Sequence, residues 1–219
     1  MKAKKVVLIV VLCIVVLLIA IWGIREYALW NDGNLQKDNS MSREEVLELL
    51  KKGEEYPNYH ISFIGSNNEK YDIYVKDNVF VEYCNDEFRL REDYNNNEYI
   101  MIFKTADKEM AGINNNLQKQ EYQQAGMDYS IVTESDYKYL GEKELDGRQV
   151  IYIQLKNGSA YTKFAIDKET GIIINRIDLS KAFIFTTNKN ESKRELKLDV
   201  VTDEDVARPD LSKYEVVEE

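Results

Sequence analysis

The sequence predicts an α+β fold dominated by antiparallel β: a strongly curved open sheet with a leading helix and a helical flap, preceded by one transmembrane helix. Three observations predict it. An uncharged apolar run opens the chain, strand-like runs separated by short turn dipeptides fill both halves of the remaining sequence, and residues 105–133 change to helical spacing.

The apolar run, VVLIVVLCIVVLLIAIWGI at 6–24, holds nineteen residues without a charge. As a helix it covers roughly 28 Å, the thickness of a bilayer's hydrocarbon core. A cleaved signal peptide competes with an anchor, but its apolar region is usually only about 7–15 residues and ends in small residues. Here Leu18, Ile21 and Glu26 spoil the small-x-small patterns ending at Ala20, Gly23 and Ala28. Cys13 is preceded by Val10, Val11 and Leu12, without the small residue a lipid-modified cysteine wants. Lys2, Lys4 and Lys5 stand before the span while Arg25 and Glu26 cancel after it, so the positive-inside rule keeps the N-terminus in the cytoplasm. The expected organisation is therefore a cytoplasmic stub and anchor at 1–30, a linker at 31–41 and an extracytoplasmic domain at 42–219.

Charge follows the same division. The first thirty residues carry four basic and one acidic side chain, +3, so the formal total of −10 leaves −13 beyond them. A domain this acidic does not attract nucleic acid or anionic headgroups by charge. With Cys13 in the span, Cys84 stands alone in the domain and no internal disulfide is available there; it reads as a half-buried strand residue rather than a reactive thiol.

The domain opens with helix signals. Ser42 and Glu45 form a capping box, Met41 and Val46 a staple across it, and Gly53 a stop, with Val46, Leu49, Leu50 and Gly53 along one side. Strand-like runs come next at 58–65, 70–76 and 79–85, then at 88–92 and 98–104, with turns at 66–69, at Asp77-Asn78 and at Asn95-Asn96-Asn97. Tyr71, Ile73 and Val75 alternate with Asp72, Tyr74 and Lys76, the mark of a sheet with one face more buried than the other.

Between 105 and 133 Met110, Ile113 and Leu117 fall at helical spacing, and the run 117–125 closes on Gly126. Asn114, Asn115 and Asn116 divide this stretch, which reads as a helical crossover or flap. Strands return at 138–145, 148–156 and 160–166. Asp146-Gly147 and Asn157-Gly158 suit tight hairpin turns, and the loop Asp167-Lys168-Glu169-Thr170-Gly171 makes a third connection. A further strand at 194–201 follows an Asn-rich turn at 188–190, with 183–187 pairing before it. Ile151, Ile153 and Leu155 share one face, Val150 and Tyr152 the other. Some nine to eleven strands result, enough for accumulated twist to curl the sheet around a concave face.

This order resembles the LolA-like family of lipoprotein carriers and related envelope proteins. The resemblance covers about 42–216. It rests on the opening helix with the strand Asn58-Tyr59-His60-Ile61-Ser62-Phe63 behind it, the strands around Lys76-Asp77-Asn78, the hairpin Phe164-Ala165-Ile166-Asp167-Lys168-Glu169-Thr170-Gly171, and the Pro209-Asp210 element. It implies an open, curved antiparallel sheet closed by helices around an apolar cavity that holds acyl chains; other members include envelope stress sensors. A carrier that crosses a periplasm is soluble, whereas this domain is tethered, which points to a fixed lipid-binding, sensing or assembly role.

Enzyme chemistry finds little support in the residues. His60 is the only histidine and no nucleophile elbow accompanies it; one histidine and one domain cysteine exclude the usual zinc sets. Thr202-Asp203-Glu204-Asp205 lacks the spacing and glycine of a calcium loop and reads as a turn before Pro209. No phosphate-cradling glycine loop suggests a cofactor. The expectation is a non-enzymatic membrane protein that binds a lipid or lipoprotein acyl chain. Phe63, Ile73, Tyr83, Met101, Phe103, Ile151, Ile153 and Phe164 would line its cavity, and Met110, Ile113 and Leu117 would belong to the flap above. The alternative is a sensor or assembly module that binds another envelope protein through the sheet edge or flap, with the apolar residues simply a core.

Overall fold

The computed structural model describes residues 2–30, 41–65, 67–105, 108–182 and 185–218. The linker expected at 31–41 falls almost wholly outside them. Helix α1 spans Lys2–Trp30, and its segment Val6–Tyr27 is long and apolar enough to cross a membrane or to serve as a signal sequence. Near its end the Glu26 carboxylate accepts hydrogen bonds from Thr186 Oγ1 at 2.6 Å and Thr186 N at 3.3 Å.

Helix α2 (Arg43–Glu54) begins as its sequence dictates. Glu45 N donates to Ser42 Oγ, the Glu45 carboxylate accepts from Ser42 N at 2.7 Å, and Val46, Leu50 and Gly53 are buried. The strands of the first half are β1 (Asn58–Ile64), β2 (Lys70–Lys76), β3 (Val79–Cys84), β4 (Glu87–Asp93), β5 (Glu98–Lys104) and β6 (Glu109–Asn114). Next come the short β7 (Gln123–Gln124) and β8 (Met127–Asp128) and the single-turn α3 (Ile131–Glu134). The second half is β9 (Asp136–Leu145), β10 (Arg148–Asn157), β11 (Ala160–Asp167), β12 (Ile173–Ala182), β13 (Phe185–Leu198) and β14 (Glu215–Glu218). Twelve of these form one sheet in the order β14-β6-β5-β4-β3-β2-β1-β13-β12-β11-β10-β9; β7 and β8 pair separately.

Sequential pairing comes from tight turns. Asp77 and Asn78, Asn85 and Asp86, and Asp146 and Gly147 all take positive φ at both central positions, the geometry that matches strand twist. Cys84 lies buried on β3, and burial pushes its thiol up.

The segment 105–133 is mostly not helical. Met110 and Ile113 lie on β6, where β5 pairs with it from Tyr99↔Asn114 to Lys104↔Glu109. Three residues apart on a strand, they point to opposite faces, and Ile113 fills the row beside Ile100 that a helix would have left open. Pairing with a neighbour overrode a short helical pattern, and among the described residues of this stretch only 131–134 forms a helical turn. The second departure concerns Asn188, Lys189 and Asn190. They form no turn but pair with Ser180, Leu179 and Asp178 inside a single fourteen-residue β13. The reversal sits near Ala182↔Phe185 instead. Of the strand expected at 183–187, residues 183 and 184 lie outside the described residues.

Strand β13 joins the two halves. Its first part pairs with β12 from Ala182↔Phe185 to Asn175↔Lys193; its last part pairs with β1 from Phe63↔Arg194 to Tyr59↔Leu198. Curvature then brings faces together that share no ladder. Tyr59, Ile61, Ile73 and Phe80 of the first half, with Leu196 of β13, pack on Val150, Tyr152, Ala165 and Ile174 of the second. The other side of β10 and β11, with Ile151, Ile153, Leu155, Phe164 and Ile166, is covered by Val46 and Leu50 of α2 and by Met127, Tyr129 and Val132. This hairpin is therefore buried on both faces. On the outer side of β3, Val79 and Val81 pack on Val201 and Val206, where Arg91 Nε donates to Val206 O at 3.0 Å.

Candidate functional site

Strand alternation determines which residues reach the inner face. Register carries one row across Tyr59, Val75, Phe80 and Glu92, and the next across Ile61, Ile73, Glu82, Leu90 and Met101. These rows are apolar except for Glu82 and Glu92. Above them lies a cleft of about 600 Å³, closed at one end by Glu54, the last residue of α2, and by Glu55 and Tyr56 after it, and roofed by 117–120 and 123–126.

The roof is tied down by one side chain. Gln124 is buried; its Nε2 donates to Leu50 O at 3.2 Å and to Gly171 O at 3.0 Å, and its Oε1 accepts from Ile173 N at 2.6 Å. It thereby links the roof to the end of α2 and to the β11–β12 loop. That junction has no room for extra atoms. Gly171 has φ +81°, and a Cβ there would lie 1.8 Å from Leu49 O; a Cβ on Gly53 would lie 2.3 Å from Gln124 Nε2. Gly171 thus supplies the loop's left-handed backbone and also lets α2 sit against it. Beyond Gln124, Ala125 and Gly126 take φ of +47° and +69° in a tight reversal, and Tyr129 donates from its hydroxyl to Glu54 Oε2 at 2.6 Å.

Electrostatically the cleft is acidic. Glu54, Glu55, Asp77, Glu82 and Glu92 line it against one cation, Lys119, which stands 3.7 Å from Glu54. Burial raises the Glu82 carboxyl above its ordinary 4.5, with Arg89 opposing and Glu92 assisting. Tyr94 donates to Glu92 Oε2 at 2.6 Å, and burial together with that bond pushes its hydroxyl up. The mouth repels anions, while Tyr59, Val75, Phe80 and Leu90 offer apolar surface inside.

The residues read from the sequence are dispersed. Ile151, Ile153 and Phe164 are fully buried beneath α2 in filled core. Ile73 is buried in the inner-face core, one row from the cleft floor. Phe63 lies at the opposite end of that face, beside a second groove of about 780 Å³, with the Arg194 guanidinium 4.9 Å from its ring centre. Tyr83 faces outward, edge-on to Tyr74 and Phe88 at 5.8 and 5.9 Å. Met101 is exposed, and Phe103 is half-buried beside Gly112 near the sheet edge. Of the flap residues, Leu117 lines the cleft and Met110 and Ile113 do not. His60 pairs with Asp72 at 2.9 Å and stacks on Tyr74. Glu82 was visible in the sequence as an acid in phase with Phe80 and Cys84; Gln124 gave no signal, since a glutamine in a polar stretch reads as solvated.

No known protein family matches the chain, and no curated protein does. Solved structures do. An uncharacterised conserved protein from Thermus thermophilus superposes with a TM-score of 0.53 at 15% identity, over 82% of this chain and 100% of that one. The likeness is one of fold. A chain of the Pseudomonas aeruginosa MucA/MucB complex matches at TM-score 0.42 and 10% identity, over 76% of this chain and 61% of that one. A LolA superfamily protein from Nitrosomonas europaea matches at TM-score 0.28 and 8% identity, over 77% and 99%.

Proposed function

We propose that the chain is a membrane-tethered, extracytoplasmic, non-enzymatic binding module that holds an apolar ligand, a lipid or acyl chain, in the cleft beneath 117–126. The supporting observation is the cleft itself. Its volume of about 600 Å³ falls within the roughly 300–1,000 Å³ of small-molecule sites, and its floor of Tyr59, Val75, Phe80 and Leu90 is apolar. Each methylene buried there contributes about 0.8 kcal/mol. The acids around the mouth favour a neutral or cationic headgroup over a phosphate or carboxylate. The apolar segment Val6–Tyr27 of α1, with Lys2, Lys4 and Lys5 before it, supports an anchor with its N-terminus inside.

Native mass spectrometry of the full chain, released from nanodiscs containing a neutral monoacylglycerol, tests this reading. One bound monoacylglycerol is expected, lost in Leu90→Asp, which puts a charge on the floor. A clean apo mass, or equal retention by Leu90→Asp, overturns it.

A further inference from the structure

The two edges of the sheet are finished differently. At one edge β9 carries Asp136, Lys138, Glu142, Lys143 and Glu144, and its register with β10 breaks at Tyr152/Ile153 beside Gly141, whose φ is +127°. Charges and a bulge are devices that stop another strand from adding. Strand β6, towards the other edge, has neither. Its sequence EMAGIN holds one charge, at its first residue, and its register with β5 is unbroken from Tyr99↔Asn114 to Lys104↔Glu109.

That second edge is covered by β14, the one parallel strand among the described residues of the sheet. It covers four positions, Glu215↔Met110 to Glu218↔Ile113, and all four of its residues are exposed. Apart from this ladder it is held by the ion pair of Glu215 with Lys108. Upstream, the tail is fastened to the sheet through Val201, Val206 and the Arg208–Glu98 pair at 3.0 Å. Between that pair and β14, the hydrogen bonds are local, Tyr214 N to Leu211 O and Ser212 to Asp210. A short parallel ladder is less stable per residue than an antiparallel one. An antiparallel strand matching all of β6 would pair over six residues rather than four.

We propose that β6 is a strand-accepting edge for an extended segment of another protein, and that β14 is its displaceable cover. The segment runs antiparallel to β6 and sets β-branched residues beside Ala111 and Gly112, where the edge offers little bulk. One carboxylate meets Lys108 in place of Glu215. Main-chain pairing supplies affinity, and the small residues and the lysine supply selectivity. This is independent of whatever the cleft holds.

The test uses the full chain in nanodiscs and a fluorescein-labelled peptide Thr-Val-Thr-Val-Thr-Val-Glu, whose last residue lies opposite Lys108 when it runs antiparallel to β6. Val216→Pro together with Val217→Pro removes a ladder donor from the cover without shortening the chain, since adjacent N–H groups point alternately towards and away from β6. Loss of one to two net hydrogen bonds in the competitor predicts about tenfold tighter peptide binding than by the unmodified chain. Hydrogen exchange should show the peptide slowing β6 amides and leaving β9 unchanged. Equal affinity for the two chains, no binding by either, or protection outside β6 overturns the proposal. Monoacylglycerol retention, read separately, stays the same in every case.

Discussion

Replacing Gln124 by leucine removes the side chain that joins roof, helix and loop, and its cost follows from the three bonds it makes. Leucine has similar volume, so little cavity forms. Ile173 N and Gly171 O, at 2.6 and 3.0 Å from the amide, lose a partner at a site sealed from water. Each such buried orphan costs about 1–3 kcal/mol, and the added apolar burial returns about 1 kcal/mol, for a net loss of about 1–5 kcal/mol. Urea unfolding of the full chain in nanodiscs, followed by tyrosine fluorescence, gives the global value. Exchange of the Ile173 amide gives the local one, and it should pass from protected to fast. A loss below about 1 kcal/mol with Ile173 still protected would refute the assignment of Gln124 as the junction.

Other substitutions separate further effects. Gly171→Ala and Gly147→Ala both place a Cβ at positive φ, +81° and +79°, but only the first meets an atom, Leu49 O at 1.8 Å. Thermal melts should show about 1–2 kcal/mol lost for Gly147→Ala and more than about 4 kcal/mol for Gly171→Ala. Arg91→Met leaves Asp93 buried without its 2.9 Å partner and should cost about 3–5 kcal/mol in urea, unlike the exposed Lys197–Glu195 pair. Glu82 makes a pH prediction. Its carboxyl titrates above 4.5 in the folded chain, so folding takes up a proton in that window, and its contribution to stability falls as pH rises through it. Glu82→Gln should flatten this slope and be relatively more stable at pH 7 than at pH 4; an unchanged slope assigns the titration to another group.

Much of the fold was legible because its signals are local. Ser42 and Glu45 cap α2 as read, and Asp77-Asn78 and Asp146-Gly147 turn their hairpins. The alternation of β2 marked a sheet with two unlike faces, but Tyr83 of β3, read as a cavity wall, faces outward with Tyr74 and Phe88. What misled was context. Met110 and Ile113 fit a helix until β5 is available to pair with, and Asn188 to Asn190 resemble a turn until β12 extends opposite them. The site was harder still, because Ile151 and Phe164 are as apolar as any cavity wall. Only the position of α2 decides that they are filled core, and the cleft opens instead where Glu82 and Glu92 interrupt an apolar face.

Strand β13 also has a consequence for the order in which the molecule is made. Tyr59 and Leu198 are partners, yet almost the whole domain separates them along the chain. While synthesis proceeds, β1 has β2 on one side and nothing on the other, and the inner face of the first half stays uncovered until β10 and β11 arrive. Pairings this distant are slow to form and leave apolar edges open in the interval. The first half thus waits for the last strands, and a ribosome stalled before residue 185 should hold a hairpin meander that is sensitive to protease and ready to bind a chaperone.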